Sequence, residues 1–121
     1  MSYIDDFNLS KTKLEKSLEM VETLKQRMAE EKDEQFKELL NNNIHNSTAT
    51  AYLAHAERLV QLIPNKYLTR EWKVKIQIEV QLAINYACEA SFWLSGDNNR
   101  NIQQKWHLKR IQPYKKEATE E

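Results

Sequence analysis

The chain has almost none of the residues that build tight turns. Gly occurs once, at Gly96, and Pro occurs twice, at Pro64 and Pro113, in 121 residues. A β-rich domain needs many tight turns, and those turns depend on glycine and proline for their backbone angles. Long helices joined by few connections fit this composition better. The sequence therefore predicts an all-α fold.

The segment from residue 69 to 94 carries a pattern that fits both a strand and a helix. From residue 72 to 86 apolar and polar side chains alternate almost strictly, which is typical of a strand. The same side chains also form two apolar stripes at helical spacing. The first stripe comprises Trp72, Ile76, Val80, Ala83, Ala87, Ala90 and Leu94, and the second stripe comprises Val74, Ile78, Leu82, Tyr86 and Trp93. Because a strand of this length would far exceed the usual ~5–6 residues, the segment is predicted to be a helix.

A helix with two apolar stripes has to be buried from two sides. This requirement predicts that the third helix is long and lies at the centre of a bundle. Thr69 is predicted to be its N-cap, because a threonine hydroxyl accepts a hydrogen bond from a free amide of the first turn. The overall prediction is a small all-α bundle of three to four helices.

The first helix is predicted to begin near Ser10 or Thr12. Glu15 follows three residues after Thr12, which is the spacing of a capping box. Apolar side chains then recur at helical spacing as far as Met28. Residues 29–35 contain no apolar side chain larger than alanine, and the sequence leaves open whether the helix continues through them.

The second helix is predicted to end at Ile63, because Pro64 cannot continue it. A break is predicted near residues 43–47, since the preceding asparagines compete for backbone hydrogen bonds. A short fourth helix is predicted around Ile102 and Trp106.

The length of the chain suits one domain over residues 1–121. Residues 1–8 and 114–121 are predicted to be flexible tails. Cys88 is the only cysteine, which excludes an internal disulfide and favours the reducing cytoplasm. Neither a signal peptide nor a membrane-spanning segment is predicted, so we expect no membrane partner.

The sequence predicts no catalytic residue, metal ligand or cofactor. A single glycine cannot build a loop that cradles phosphates. His45 and His55 have no second ligand three or four residues away, and His107 has none within helical reach. The neighbours of Cys88 at helical spacing are Ile84, Asn85, Ser91 and Phe92, none of which is a base or a cation, so Cys88 is predicted to fill the core.

The chain has 18 basic and 18 acidic residues, so its net charge is zero. Charge is nevertheless uneven, because residues 98–116 hold six cations and no anion. The cations are Arg100, Lys105, Lys109, Arg110, Lys115 and Lys116.

An alternative hypothesis is therefore that the chain binds nucleic acid. The residues that would contact it are Arg100, Lys105, Trp106, His107, Lys109 and Arg110. The ordinary explanation is that cations gather near helix C-termini while Trp106 packs on the core.

Arg100, Asn101 and His107 also resemble the arginine-to-histidine pair of HEPN ribonucleases. In that family the pair lies at the start of a late helix. The resemblance covers eight residues, with a spacing at the long limit of the family's range. It implies that Arg100 would bind phosphate, that His107 would act as acid and base, and that two protomers would share the site.

The sequence favours the function of a small non-enzymatic helical interaction module, a regulator, adaptor or inhibitor of the kind found in phages and mobile elements. The two apolar stripes of the third helix exceed what a minimal bundle covers, which predicts a homodimer or a docked protein partner. The alternative is that the third helix is simply central and both stripes are buried within one chain. The residues predicted to bind the partner are Val74, Ile78, Tyr86, Trp93 and Trp106.

Overall fold

A computed structural model of the protein describes residues 2–92 and Leu94. These residues form three helices, α1 (Tyr3–Glu30), α2 (Glu34–Val60) and α3 (Arg70–Ser91). The described part of the chain contains no strand, so the alternating segment is a helix and the all-α prediction is confirmed. The predicted fourth helix and the tail 114–121 lie outside the described residues.

Each helix begins with a side chain that accepts hydrogen bonds from its first turn. The Ser2 hydroxyl accepts from the Asp5 amide, and the Asp33 carboxylate accepts from two amides at the start of α2. Thr69 accepts from the Trp72 amide at 3.2 Å, which confirms Thr69 as the N-cap of α3. Asp33 also resolves the open question about residues 29–35, because it starts a new helix there.

Two predicted boundaries were wrong. α1 begins at Tyr3 instead of Ser10 or Thr12, and Phe7 is buried, so residues 3–8 belong to the fold and not to a flexible tail. Asp5 in the first turn favours this early start through its interaction with the helix dipole. The break predicted near residues 43–47 is also absent, because α2 continues through the asparagines.

The continuity of α2 has a packing explanation. Leu40 and Ile44 are both buried on either side of the asparagine run, so tertiary contacts hold this part of α2 in place. α2 ends at Val60, and two hydrogen-bonded turns lead from it towards Pro64. At residues 43–47, burial of the neighbouring side chains therefore outweighs the tendency of asparagine to break a helix. Near Pro64 the helix ends, as the local sequence indicates.

α2 is the helix that packs against both others in the described part of the chain. α1 and α3 touch each other near their N-terminal ends, where Phe7 contacts Trp72 edge to face and Lys11 lies near Glu79. α3 is long, with 22 residues, although it is the shortest of the three helices. Within the described residues, α2 takes the central position that the sequence predicted for the third helix.

The core lies mainly between α2 and α3, with Phe7 of α1 added to it. The first stripe of α3 supplies one wall of this core, and Leu53 and Leu59 of α2 face it. Cys88 is buried among these residues, as the sequence predicts. None of the described helices is long and apolar enough to cross a membrane.

Candidate functional site

A buried polar network joins the three helices. Ser10 of α1 lies 2.7 Å from His55 of α2, measured from Oγ to Nδ1. The other ring nitrogen of His55, Nε2, lies 3.3 Å from Oε1 of Glu79 on α3. His55 is fully buried and Ser10 is 2% exposed. One hydrogen-bonded chain therefore connects all three helices through the interior.

Glu79 and Arg58 together determine the direction of these hydrogen bonds. Because the Glu79 carboxylate can only accept, Nε2 of a neutral His55 carries the ring proton and donates a hydrogen bond to Glu79. Nδ1 of His55 then accepts from the Ser10 hydroxyl. The Ser10 hydroxyl oxygen accepts from Arg58 Nε at 2.8 Å, and the Ser10 carbonyl accepts from Arg58 Nη2 at 3.2 Å.

The electrostatics of the site agree with a neutral histidine. Burial lowers the pKa of His55, and the nearby cations Arg58 and Lys11 lower it further. The hydrogen bond and the negative charge of Glu79 act in the opposite direction, and burial outweighs them. Lys11 lies 3.8 Å from the same Glu79 oxygen, at the surface end of the network.

A serine, a histidine and a glutamate in one hydrogen-bonded chain resemble the parts of a nucleophilic triad. In this protein the Ser10 hydroxyl is enclosed and already hydrogen bonded to both Arg58 and His55. A substrate could not reach it without separation of the helices. The arrangement therefore holds the bundle together and does not form an accessible catalytic site.

Sequence reasoning missed this network because its members are far apart in the chain. Ser10 and His55 are separated by 45 positions, and His55 and Glu79 by 24. No helical spacing connects them. Among the described residues, no group of three or more histidine, cysteine, aspartate or glutamate side chains could hold a metal ion.

The described residues of the second stripe of α3 are exposed. Val74, Ile78, Leu82 and Tyr86 are each between 46 and 53% exposed, and they recur at four-residue spacing along one side of the helix. Tyr86 at the end of the row also stacks on Tyr52 of α2, with ring centroids 5.0 Å apart. Val74, Ile78 and Tyr86, three of the five predicted partner-binding residues, thus share one exposed face. Leu82 lies between Ile78 and Tyr86 on the same face. We call these four residues the outer face of α3.

The other predicted site residues lie outside the described part of the chain. They are Trp93, Arg100, Lys105, Trp106, His107, Lys109 and Arg110. The nucleic-acid hypothesis and the resemblance to HEPN ribonucleases both depend on them. Both therefore stay predictions.

A groove opens between α1 and the C-terminal end of α3, above α2. It consists of two cavities of about 530 and 290 Å³ that share Lys25, Thr48 and Tyr52. We call them together the open groove. Its charged and aromatic lining residues are Glu15, Glu19, Glu22, Lys25, His45, Tyr52, Tyr86 and Glu89. Four carboxylates and one lysine give this groove an acidic character.

Two titratable groups in the open groove are neutral near pH 7. Burial, followed by the positive charge of Lys25, lowers the pKa of His45. Burial, followed by Tyr86 and Glu79, raises the pKa of Tyr52. Neither side chain therefore cancels the charge of the carboxylates.

No protein-family model, curated protein or solved structure matches this chain.

Proposed function

We propose that this protein is a non-enzymatic helical interaction module that binds a protein partner, in the first place a second copy of itself, through the outer face of α3. The observation that carries the proposal is the row of Val74, Ile78, Leu82 and Tyr86, all about half exposed on successive turns. Single exposed apolar residues are common on protein surfaces, but a continuous row is typical of an interface.

The geometry of this row suits a docked helix. Anchors at four-residue spacing match the pattern with which one helix packs on another. Covering the exposed half of Val74, Ile78 or Leu82 contributes about 1 kcal/mol for each side chain. In a two-fold symmetric dimer the same row is buried on both subunits, so each contribution counts twice. The row therefore supplies a useful part of the free energy of self-association.

Two further observations support an interaction module over an enzyme. The serine and histidine of the buried network are enclosed, so they offer no nucleophile to a substrate. The chain has no net charge, so two copies do not repel each other over long distances. A cytoplasmic location remains part of this proposal, as the single cysteine suggests.

The decisive experiment is sedimentation of the full chain over a range of concentrations, with one matched pair of variants. Ile78→Lys places a charge in the outer face of α3, and Leu39→Lys makes the same kind of change at an exposed leucine of α2. We expect the wild type and Leu39→Lys to dimerise alike, and Ile78→Lys to dimerise at least tenfold more weakly.

Two results would contradict the proposal. A wild-type chain that stays monomeric at every concentration rules out self-association. A dimer that is equally stable with Ile78→Lys shows that the contact lies on another surface.

A further inference from the structure

We propose that the open groove binds residues 98–112 of this same chain, which thereby complete the bundle as a fourth element. The groove shares Tyr86 with the outer face of α3, whereas Val74, Ile78 and Leu82 do not line it. The inference therefore does not depend on the proposed function. Three observations carry it: the shape of the groove, its charge and the position at which the chain leaves α3.

The groove exists because α1 and α3 diverge. Near their N-terminal ends the two helices touch, with the Phe7 and Trp72 ring centroids 5.4 Å apart. Towards their C-terminal ends, Lys25 of α1 and Glu89 of α3 line a cavity whose other wall belongs to α2. Three helices arranged in this way leave room for a fourth along the open side.

The charge of the groove selects a basic occupant. Glu15, Glu19 and Glu22 line the α1 side, and Glu89 lines the α3 side. Among the described lining residues Lys25 is the only lysine or arginine, and its Nζ lies 3.3 Å from Oε1 of Glu22. An excess of about three negative charges therefore faces the groove. A neutral or acidic segment would leave these carboxylates uncompensated.

Residues 98–112 of the chain have the complementary chemistry. They contain four cations, Arg100, Lys105, Lys109 and Arg110, and no acidic side chain. They also contain Ile102 and Trp106, which are four residues apart as on one side of a helix. These apolar side chains suit the stacked rings of Tyr52 and Tyr86 in the groove wall.

The chain also leaves α3 beside the groove. Glu89 and Ala90 line it, and α3 ends one residue later at Ser91. From Glu15 to Lys25 the α1 wall is about 15 Å long at the helical rise, and a helix of residues 98–112 would be about 22 Å long. The segment is thus long enough to cover the wall. Its tether to α3 gives it a high effective concentration at the groove.

Zero-length carbodiimide cross-linking of the full chain, read by mass spectrometry, tests the contact directly. The reaction joins a carboxylate to a lysine amine only when the two groups touch. We expect amide links from Lys105 or Lys109 to Glu15, Glu19 or Glu22. A mixture of ¹⁴N- and ¹⁵N-labelled protein distinguishes links within one chain from links between copies.

A pair of charge variants provides the control. Glu15→Gln with Glu19→Gln removes two charges from the groove, and Glu30→Gln with Glu38→Gln removes two exposed charges elsewhere. We expect trypsin to cut after Lys105 and Lys109 at least fivefold faster in the groove variant, and at the wild-type rate in the control. The four glutamates are exposed, so both variants should keep the wild-type helical circular dichroism.

The proposal is overturned if no cross-link joins the segment to the groove, or if both variants are cut at the wild-type rate. Links found only between differently labelled copies would also overturn it. In that case the groove would bind a second copy.

Discussion

Ser10 and His55 are 45 positions apart in the chain and 2.7 Å apart in the structure. Their hydrogen bond crosses the interface between α1 and α2, and His55 extends the connection to Glu79 on α3. Because both side chains are buried, water cannot replace either partner if the other is lost. Removing either side chain should therefore lower the free energy of unfolding.

Ser10→Ala should destabilise the protein by about 1–3 kcal/mol, because it leaves His55 Nδ1 and Arg58 Nε without their buried partner. Urea unfolding followed by circular dichroism measures this loss. Ser17→Ala is the matched control, since Ser17 is exposed and bonds only the Lys13 carbonyl in its own helix. We expect a change below about 0.5 kcal/mol for the control. Equal effects of the two substitutions would show that the network does not stabilise the fold.

Replacing a side chain by alanine should change the free energy of unfolding by different amounts on the two sides of α3. Ile76 is fully buried, so Ile76→Ala should lower the free energy of unfolding by about 2–5 kcal/mol. Ile78 is half exposed, so Ile78→Ala should lower it by less than about 1 kcal/mol for the monomer. Urea unfolding at low protein concentration separates these effects from those of self-association. A large loss for Ile78→Ala would mean that this face is covered within the monomer.

The sequence predicted much of the fold because helical periodicity and capping are local properties. Thr69, Pro64 and the first stripe of α3 each act through near neighbours, and the structure agrees with them. The early start of α1 depends on Phe7 meeting Trp72, a contact between distant parts of the chain. No local pattern near Phe7 indicates that contact.

The central position of α2 escaped prediction for a related reason. Two apolar stripes on α3 indicated burial from two sides, but the first stripe lies in the core and Val74, Ile78, Leu82 and Tyr86 of the second are exposed. α2 has a weaker pattern, because its buried residues lie on more than one side and include small alanines such as Ala49 and Ala56. A helix that packs on two neighbours spreads its apolar residues around its circumference.

Titration with nucleic acid gives a further test of whether the basic residues of segment 98–112 lie in the open groove. If the four cations of residues 98–112 neutralise the carboxylates of the open groove, only Lys115 and Lys116 of the six basic residues between 98 and 116 remain to contact phosphates. We therefore expect titrations with single- and double-stranded RNA and DNA to show only weak binding at low salt. A steep loss of affinity with rising salt, reduced further by Lys109→Gln, would instead favour the nucleic-acid hypothesis. It would also count against the groove as the binding site of this segment.

The stability of the fold should fall as the pH is lowered from 7.5 to 5.5. Burial lowers the pKa of His55 below the 6.5 of an unfolded chain, so the unfolded state binds the proton more readily than the folded state. The stabilisation is therefore complete above pH 6.5 and is lost as the pH falls towards the folded pKa. Urea midpoints across this range measure how the free energy of unfolding changes with pH, and His55→Gln should make this change smaller.

His45→Gln is the control. The pKa of His45 is shifted in the same direction but His45 is less buried, so this variant should keep most of the pH dependence. An unchanged pH dependence in His55→Gln would show that another group binds the proton.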